Sequence, residues 1–216
     1  MVYLPAVACL VHARRPGQTE WMAGRGERIT GAGSREASAL RLPVVLVGMM
    51  GSGKTAVGTA LAVRLGVAFH DTDEAIVDAS RMTVAEIFAR DGEPFFRERE
   101  SEVLRRLLDL GPAIVSTGGG VFLRAANRAA IRAAGVSVWL RADPDLLWSR
   151  VRGKKTRPLL MTGDPRGTLD RLCAERAPSY AKADIVVECD PGLSVDAMSA
   201  RVAGSLRRAG HLTEAA

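Results

Sequence analysis

The stretch that decides the fold is GMMGSGKT, residues 48–55. It follows the β-branched run PVVLVG at 43–48 and precedes a helical spacing of apolar residues over 54–66. The pattern G-x-x-x-x-G-K-[ST] between a strand and a helix is the phosphate-binding P-loop. Its backbone N–H groups surround phosphates, the lysine (Lys54) reaches the β- and γ-phosphates, and the hydroxyl of Thr55 can ligate Mg²⁺. The sequence therefore predicts nucleotide binding, with a glycine-rich turn before a capped helix as the alternative.

Strand and helix patterns alternate through the rest of the chain. Such alternation predicts an α/β fold with a parallel sheet and helices on both faces. Further strands are predicted at 67–71, 113–117, 136–140 and 184–188, and helices at 83–90, 94–109, 124–134, 143–152, 165–176 and 194–208. We place one domain at 42–210 and a C-terminal tail at 211–216. The polar stretch GKKTRPLLMTGD, residues 153–164, separates two of the helices.

Residues 1–41 differ from the remainder in having no sustained helical or strand period. They contain several glycines, and residues 1–42 hold six arginines against three glutamates. We expect a disordered N-terminal extension, with an organelle transit peptide as an alternative. The opening MVYLPAVACLV lacks the preceding basic segment of a secretory signal.

Composition excludes several classes of protein. The chain has 216 residues, of which 47% are apolar and 25% charged, and no apolar run long enough for a membrane span. Its three cysteines and three histidines are scattered, which suggests neither a disulfide framework nor a His-based metal site. The net charge of +6 has no accompanying basic and aromatic stripe. We therefore predict a cytoplasmic protein that binds neither nucleic acid nor membrane.

Two carboxylates, Asp71 and Asp73 of HDTDEAI (70–76), follow the second predicted strand. Ligands of doubly wound sheets bind at the carboxyl ends of the strands, beside the phosphate loop. If the two side chains alternate in direction, they would face different partners, one a metal and the other a second substrate. The alternative is that Asp73 only caps a helix.

Four further motifs carry candidate residues. They are Arg97 in EPFFRERE, Gly118–Gly120 in STGGGV, Arg157 in TRPLL and Arg176 in ERAPSY. Arginine pairs with carboxylates through two parallel hydrogen bonds, and a run of glycines allows a substrate to approach the main chain. The alternatives are ion pairs of Arg97 with Glu93 or Glu100, a tight glycine turn, and solvated surface arginines.

Together, these motifs resemble shikimate kinase over residues 43–208. The resemblance implies a nucleoside-monophosphate-kinase-like P-loop NTPase with five parallel strands in the order 2-3-1-4-5 and a mobile lid at about 153–164. It implies transfer of the ATP γ-phosphoryl group to the 3-hydroxyl of shikimate, within aromatic amino-acid biosynthesis. Gluconate kinase of the same fold, or a nucleotide-binding module without catalysis, are the alternatives.

The resemblance also assigns roles to individual residues. It implies that Asp73 binds the shikimate hydroxyls and accepts a proton, and that Asp71 and Thr55 hold Mg²⁺, Asp71 largely through water. The implied catalytic residues are Asp73, Lys54 and Arg157; the shikimate-binding residues are Asp73, Arg97, Gly118, Gly119, Gly120 and Arg176; and the ATP-binding residues are Gly48, Gly51, Ser52, Gly53, Lys54, Thr55, Ala56, Arg150 and Arg157. Mg²⁺ is the expected cofactor, ATP and shikimate are the expected partners, and a monomer is expected.

Overall fold

Five parallel strands form the central sheet of the computed structural model, which describes residues 39–153, 158–160 and 162–213. The strands are β1 (Val44–Val47), β2 (Ala68–Asp71), β3 (Ala113–Ser116), β4 (Val136–Arg141) and β5 (Ile185–Glu188). The helices are α1 (Lys54–Leu65), α2 (Thr72–Ser80), α3 (Val84–Asp109), α4 (Ala125–Ala134), α5 (Pro144–Val151), α6 (Pro165–Tyr180) and α7 (Val195–Arg208). Short 3₁₀ turns lie at Val121–Leu123 and Pro158–Leu160.

The strand order is β2-β3-β1-β4-β5, and every pair in this sheet is parallel. This confirms the predicted fold class and the order 2-3-1-4-5. Strands β1 and β3 are buried at every position, as expected for central strands covered on both faces. The phosphate loop therefore leaves the middle of the sheet, next to the carboxyl end of β3.

Helices cover both faces of the sheet. On one face, α1 and α7 pack leucines such as Leu61 and Leu206 against Leu46 of β1. On the other, α3, α4 and α6 contribute Leu104, Ile131 and Leu169 to a second apolar cluster. Full burial of each such side chain stabilises the fold by roughly 1.5–3 kcal/mol. These two clusters hold the strand ends that carry the site.

Helix α3 is broken inside its length. It begins with a capping box between Thr83 and Glu86, as TVAE predicts. Gly92 then leaves helical geometry at φ 81° and ψ 169°, two residues before Pro94. The sequence predicted two separate helices here, and the structure joins them across this kink. The second segment opens at Pro94 and carries Arg97 in its first turn.

A two-stranded antiparallel ribbon extends the domain beyond its predicted ends. Ala39–Leu40 pairs with Leu212–Thr213, and the side chains of Leu40 and Leu212 join the cluster under α1 and α7. These residues were predicted as extension and tail, outside a domain at 42–210, and only this long-range pairing links them to the fold. The rest of the predicted extension (1–38) and tail (214–216) lies outside the described residues. Within the described ranges, no helix has the length and apolar character needed to cross a bilayer.

Candidate active site

A cleft of about 480 Å³ opens at the carboxyl ends of β1, β2 and β3. It is lined by the phosphate loop, the start of α2, the glycine loop after β3 and the segment after β5. The predicted site residues among its lining are Gly51, Ser52, Gly53, Lys54, Thr55, Ala56, Asp71, Asp73, Gly118, Gly119 and Arg150. Most of the predicted site is thus brought together in one place.

The phosphate loop has the backbone shape that its glycines permit. Gly51 and Gly53 have φ angles of 83° and 93°, which a residue with a side chain rarely adopts. Lys54 is mostly buried, and its ammonium donates to the carbonyl oxygens of Gly48 at 2.8 Å and Met49 at 3.0 Å. No acidic residue of α1 itself occupies its first turn, and the partial positive charge of its N-terminus lies at the cleft. This arrangement suits a polyphosphate.

Two oxygen ligands suited to a hard cation lie beside the phosphate loop. The Thr55 hydroxyl donates to Asp71 Oδ2 at 3.0 Å, while Asp71 Oδ1 accepts from the backbone N–H of Asp73 at 2.9 Å. In the described part of the chain, no cluster of three or more His, Cys, Asp or Glu side chains could bind a metal. Mg²⁺ commonly uses one or two protein oxygens together with water and substrate phosphates. Thr55 and Asp71 fit that donor set.

The two aspartates are separated by a change of secondary structure. We predicted that they alternate along a strand, and this was wrong for two reasons. Residues two apart on a strand share one face, and α2 in fact begins at Thr72 with Asp71 as its N-cap. The alternative in which Asp73 caps the helix is also wrong, because Asp73 lies inside the first turn. Asp71 faces the phosphate loop and Asp73 faces the glycine loop. The two carboxylates therefore lie against different loops of the cleft, and their division between a metal and a substrate stays a prediction.

The glycine loop brings the carboxylates and arginines of the site together. A methyl group on Gly118 would lie 2.7 Å from Asp73 Oδ1 and 2.7 Å from Glu100 Oε1. A methyl group on Gly119 would lie 3.2 Å from Arg176 Nη1. One on Gly120 would collide with the guanidinium of Arg97. Three candidate substrate-binding residues, Asp73, Arg176 and Arg97, thus lie close to the three glycines of this loop.

Arg97 makes the ion pairs that the alternative interpretation anticipated. Its guanidinium lies 3.0 Å from Glu93 and 3.0 Å from Glu100, and it also lies over the ring of Phe96 at 5.4 Å. Neither Arg97 nor Arg176 lines the cleft itself. Both guanidinium groups nevertheless lie beside the glycine loop, so their charges are at the border of the cleft.

Glu100 is a member of the site that sequence reasoning did not select. Its side chain is 1% exposed, and Oε1 has no hydrogen-bond partner among the described residues. Burial raises the pKa of Glu100, and the neighbouring Asp73 raises it further, while Arg97 opposes the shift. The signal was present in FFRERE, since Glu100 follows Arg97 by three residues on one helix. Its burial could not be read from that spacing.

Arg150 and Cys189 border the nucleotide side of the cleft. Arg150 donates to the Gly51 carbonyl at 3.2 Å, and Cys189 Sγ lies 3.6 Å from the Ser52 carbonyl oxygen. Cys189 belongs to the segment after β5, where no sequence motif predicted an ATP-binding residue. Arg157, predicted to reach the ATP phosphates, lies outside the described residues.

Comparison with known proteins agrees with this geometry. A family model described as shikimate kinase matches residues 50–206. A shikimate kinase of Cereibacter sphaeroides is 55% identical over 186 residues, covering 84% of this chain and 93% of its own. A shikimate kinase of Ruegeria pomeroyi is 56% identical over 170 residues, covering 79% and 87%. The chain belongs to the shikimate kinase family.

Solved structures place the chain in the same family. Shikimate kinase from Acinetobacter baumannii, solved in complex with shikimate, superimposes with a TM-score of 0.75 at 33% identity, covering 78% of this chain and 94% of its own. A gluconokinase from Sinorhizobium meliloti gives a TM-score of 0.50 at 17% identity, which shows a shared fold alone. Membership of the shikimate kinase family confirms the predicted enzyme class, an ATP-using phosphotransferase with an alcohol acceptor. It also favours shikimate over gluconate as the acceptor.

Proposed function

We propose that this enzyme transfers the γ-phosphoryl group of ATP to the 3-hydroxyl of shikimate, giving ADP and shikimate 3-phosphate. The observation that carries the proposal is the position of Gly118 in one cleft with Asp73 and the phosphate loop. A donor phosphate and an acceptor hydroxyl can meet between these two elements. Phosphoryl transfer depends mainly on such positioning and on charge stabilisation.

Lys54 and the N-terminus of α1 hold the phosphates in this proposal. Lys54 bonds to loop carbonyls here, and it can exchange those neutral acceptors for charged phosphate oxygens, which form stronger hydrogen bonds. Thr55 and Asp71 would hold Mg²⁺, Asp71 largely through water. The bound metal would neutralise charge that develops on the transferring phosphoryl group.

Asp73 orients the acceptor hydroxyl and takes its proton. Its carboxylate lies beside Gly118, so an alcohol held by the glycine loop is within its reach. Glu100 approaches the same side of Gly118 and is nearly inaccessible to water. A buried carboxylate next to Asp73 strengthens the need for a cation here, which Arg97 supplies.

Arg97 and Arg176 bind the carboxylate of shikimate. Both guanidinium groups contact the glycine loop, Arg176 beside Gly119 and Arg97 beside Gly120. A guanidinium can donate two parallel hydrogen bonds to a carboxylate, so two of them fix both its position and its plane. Glu93 and Glu100 hold Arg97 in place without consuming every N–H donor of the fork.

Arg150 and Arg157 complete the ATP site. Arg150 is already tied to the phosphate loop through Gly51, next to the segment after β5 where the adenine would lie. The segment 153–164 would close as a lid and bring Arg157 to the ATP phosphates. An arginine that closes in this way is worth roughly 10³–10⁵-fold in related phosphoryl transfers.

The exchange of Asp73 for asparagine tests the central role. Asp73→Asn should abolish ADP release in a coupled assay with shikimate, because the amide cannot accept the proton, while ATP affinity stays nearly intact. Asp78→Asn, on the exposed side of the same helix, is the matched control and should behave as the unaltered enzyme. Loss of ATP binding in Asp73→Asn would show that its role has been misassigned.

A substrate panel tests the reaction itself. The unaltered enzyme should phosphorylate shikimate in the presence of Mg²⁺ and stop when EDTA removes the metal. Turnover of gluconate without turnover of shikimate would favour the alternative kinase, and ATP binding without any product would favour a non-catalytic module. We also propose a cytoplasmic location, since the scattered cysteines suit a reducing compartment, and a monomer, which sedimentation analysis would test.

A further inference from the structure

Tyr180 ends both α6 and the motif ERAPSY, and the chemistry above gives it no role. Its side chain is 1% exposed, and its ring packs near Trp139 with centroids 5.9 Å apart. A buried tyrosine hydroxyl requires a hydrogen-bond partner. Here that partner belongs to the glycine loop, since the hydroxyl donates to the Gly119 carbonyl at 2.6 Å.

This bond controls the orientation of a whole peptide group. The Gly119 carbonyl and the Gly120 N–H belong to one planar trans peptide and point in opposite directions. By holding the carbonyl, Tyr180 turns the Gly120 N–H away from itself. Within the described residues, the N–H groups of Gly119 and Gly120 donate to no backbone acceptor. They therefore remain available as donors to a substrate.

Other parts of the loop have their own anchors. Thr117 Oγ1 donates to the Leu46 carbonyl at 2.9 Å, and the Gly118 N–H donates to Thr72 Oγ1 at 3.0 Å. The Gly119 carbonyl is held instead by side chains of α6. Arg176 also reaches this carbonyl, but at 3.5 Å, so Tyr180 makes the short bond. Glycine restricts its own backbone least of all residues, which makes this outside anchor important.

We propose that Tyr180 is a positioning residue that fixes the Gly119–Gly120 peptide, so that the loop presents its donors to the acceptor substrate beside Arg176 and Arg97. This role rests on the proposed phosphorylation of shikimate. Burial raises the pKa of Tyr180, so its hydroxyl keeps its proton at neutral pH and remains a donor.

The exchange Tyr180→Phe removes the hydroxyl and keeps the ring. The loss of one neutral hydrogen bond should raise KM for shikimate by about three- to tenfold, with KM for ATP unchanged. Calorimetric titration should show the same loss in shikimate affinity. A role limited to general stability would not separate the two substrates.

Ser137→Ala is the matched control. Its buried hydroxyl also makes a 2.6 Å bond, to Asp184, but at the amino end of β4, away from the cleft. Both variants should lower the melting temperature, and only Tyr180→Phe should alter KM for shikimate. An unchanged KM, or equal rises in KM for both substrates, would overturn the role. If the unaltered enzyme neither binds nor phosphorylates shikimate, the proposed function fails and this role fails with it.

Discussion

At the scale of single residues, burial raises the pKa of two ionisable groups in or beside the site, Glu100 and Cys189. Glu100 is enclosed beside Asp73, and the adjacent Arg97 compensates for the two carboxylates. Removing one member of such a buried group is costly because it leaves the others without a partner. The site is therefore a coupled set of charges, in which Arg97, the residue proposed to bind the substrate carboxylate, also compensates for the carboxylates around it.

Cys189 gives this principle a direct test. Burial raises the pKa of its thiol to about 11, against the opposing attraction of Arg150. Only the thiolate is alkylated, so roughly one molecule in a thousand is reactive at pH 8. Iodoacetamide should therefore label Cys189 far more slowly than free cysteine in the same solution, with a rate that keeps rising up to pH 10. Peptide mass spectrometry would measure both rates, and labelling of Cys189 as fast as free cysteine at pH 7.5 would contradict the pKa.

At the scale of elements, the site depends on how loops and helix ends meet. The glycine loop after β3 lies between α2, which supplies Asp73, and the kinked α3, which supplies Arg97 and Glu100. The kink at Gly92 starts a new helical segment at Pro94 and so sets the direction from which Arg97 reaches the loop. A side chain on the loop would separate these partners.

Gly118→Ala tests this close approach. The added methyl would lie 2.7 Å from the carboxylate oxygens of both Asp73 and Glu100, so at least one must move. Because a misplacement of about 1 Å can cost roughly 10²-fold in rate, we expect a comparable fall in kcat/KM for shikimate, with ATP binding retained. Gly204→Ala on α7 is the control, since its methyl would meet only Arg208 at 3.5 Å. Full activity of Gly118→Ala would show that the loop tolerates a side chain.

Local sequence signals predicted the elements better than their junctions. The β-branched runs and the capping box at Thr83 placed strands and helices, because these signals act over a few residues. The start of α2 at Thr72 was missed, since Asp71 fits either a strand end or a helix cap. The burial of Glu100 depends on three elements distant in sequence, so no local pattern could reveal it. The candidate site residues were selected because six motifs occur together, not because any one of them is decisive.

At the scale of the whole molecule, the two ends of the described fold are joined. Leu40 and Leu212 are 7% and 4% exposed, and both pack into the cluster that includes Leu61 of α1 and Leu206 of α7. Helix α1 begins at the phosphate loop. The ribbon therefore packs on the same face of the sheet as α1 and α7, and α1 is the helix that follows the phosphate loop.

Two truncations that differ by three residues should distinguish the contribution of the N-terminal extension to stability from that of the ribbon. Removal of residues 1–38 leaves the ribbon and every described site residue, so we expect unchanged stability and an unchanged KM for shikimate. Removal of residues 1–41 also deletes Leu40 and exposes Leu212, which should lower the free energy of unfolding by roughly 1.5–3 kcal/mol. Urea denaturation of both proteins measures the difference, and Leu40→Ala in the full chain should reproduce most of it. Equal urea midpoints for the two truncations would show that the ribbon does not stabilise the core, because the deletions differ only in the strand that pairs with Leu212–Thr213 and in Arg41.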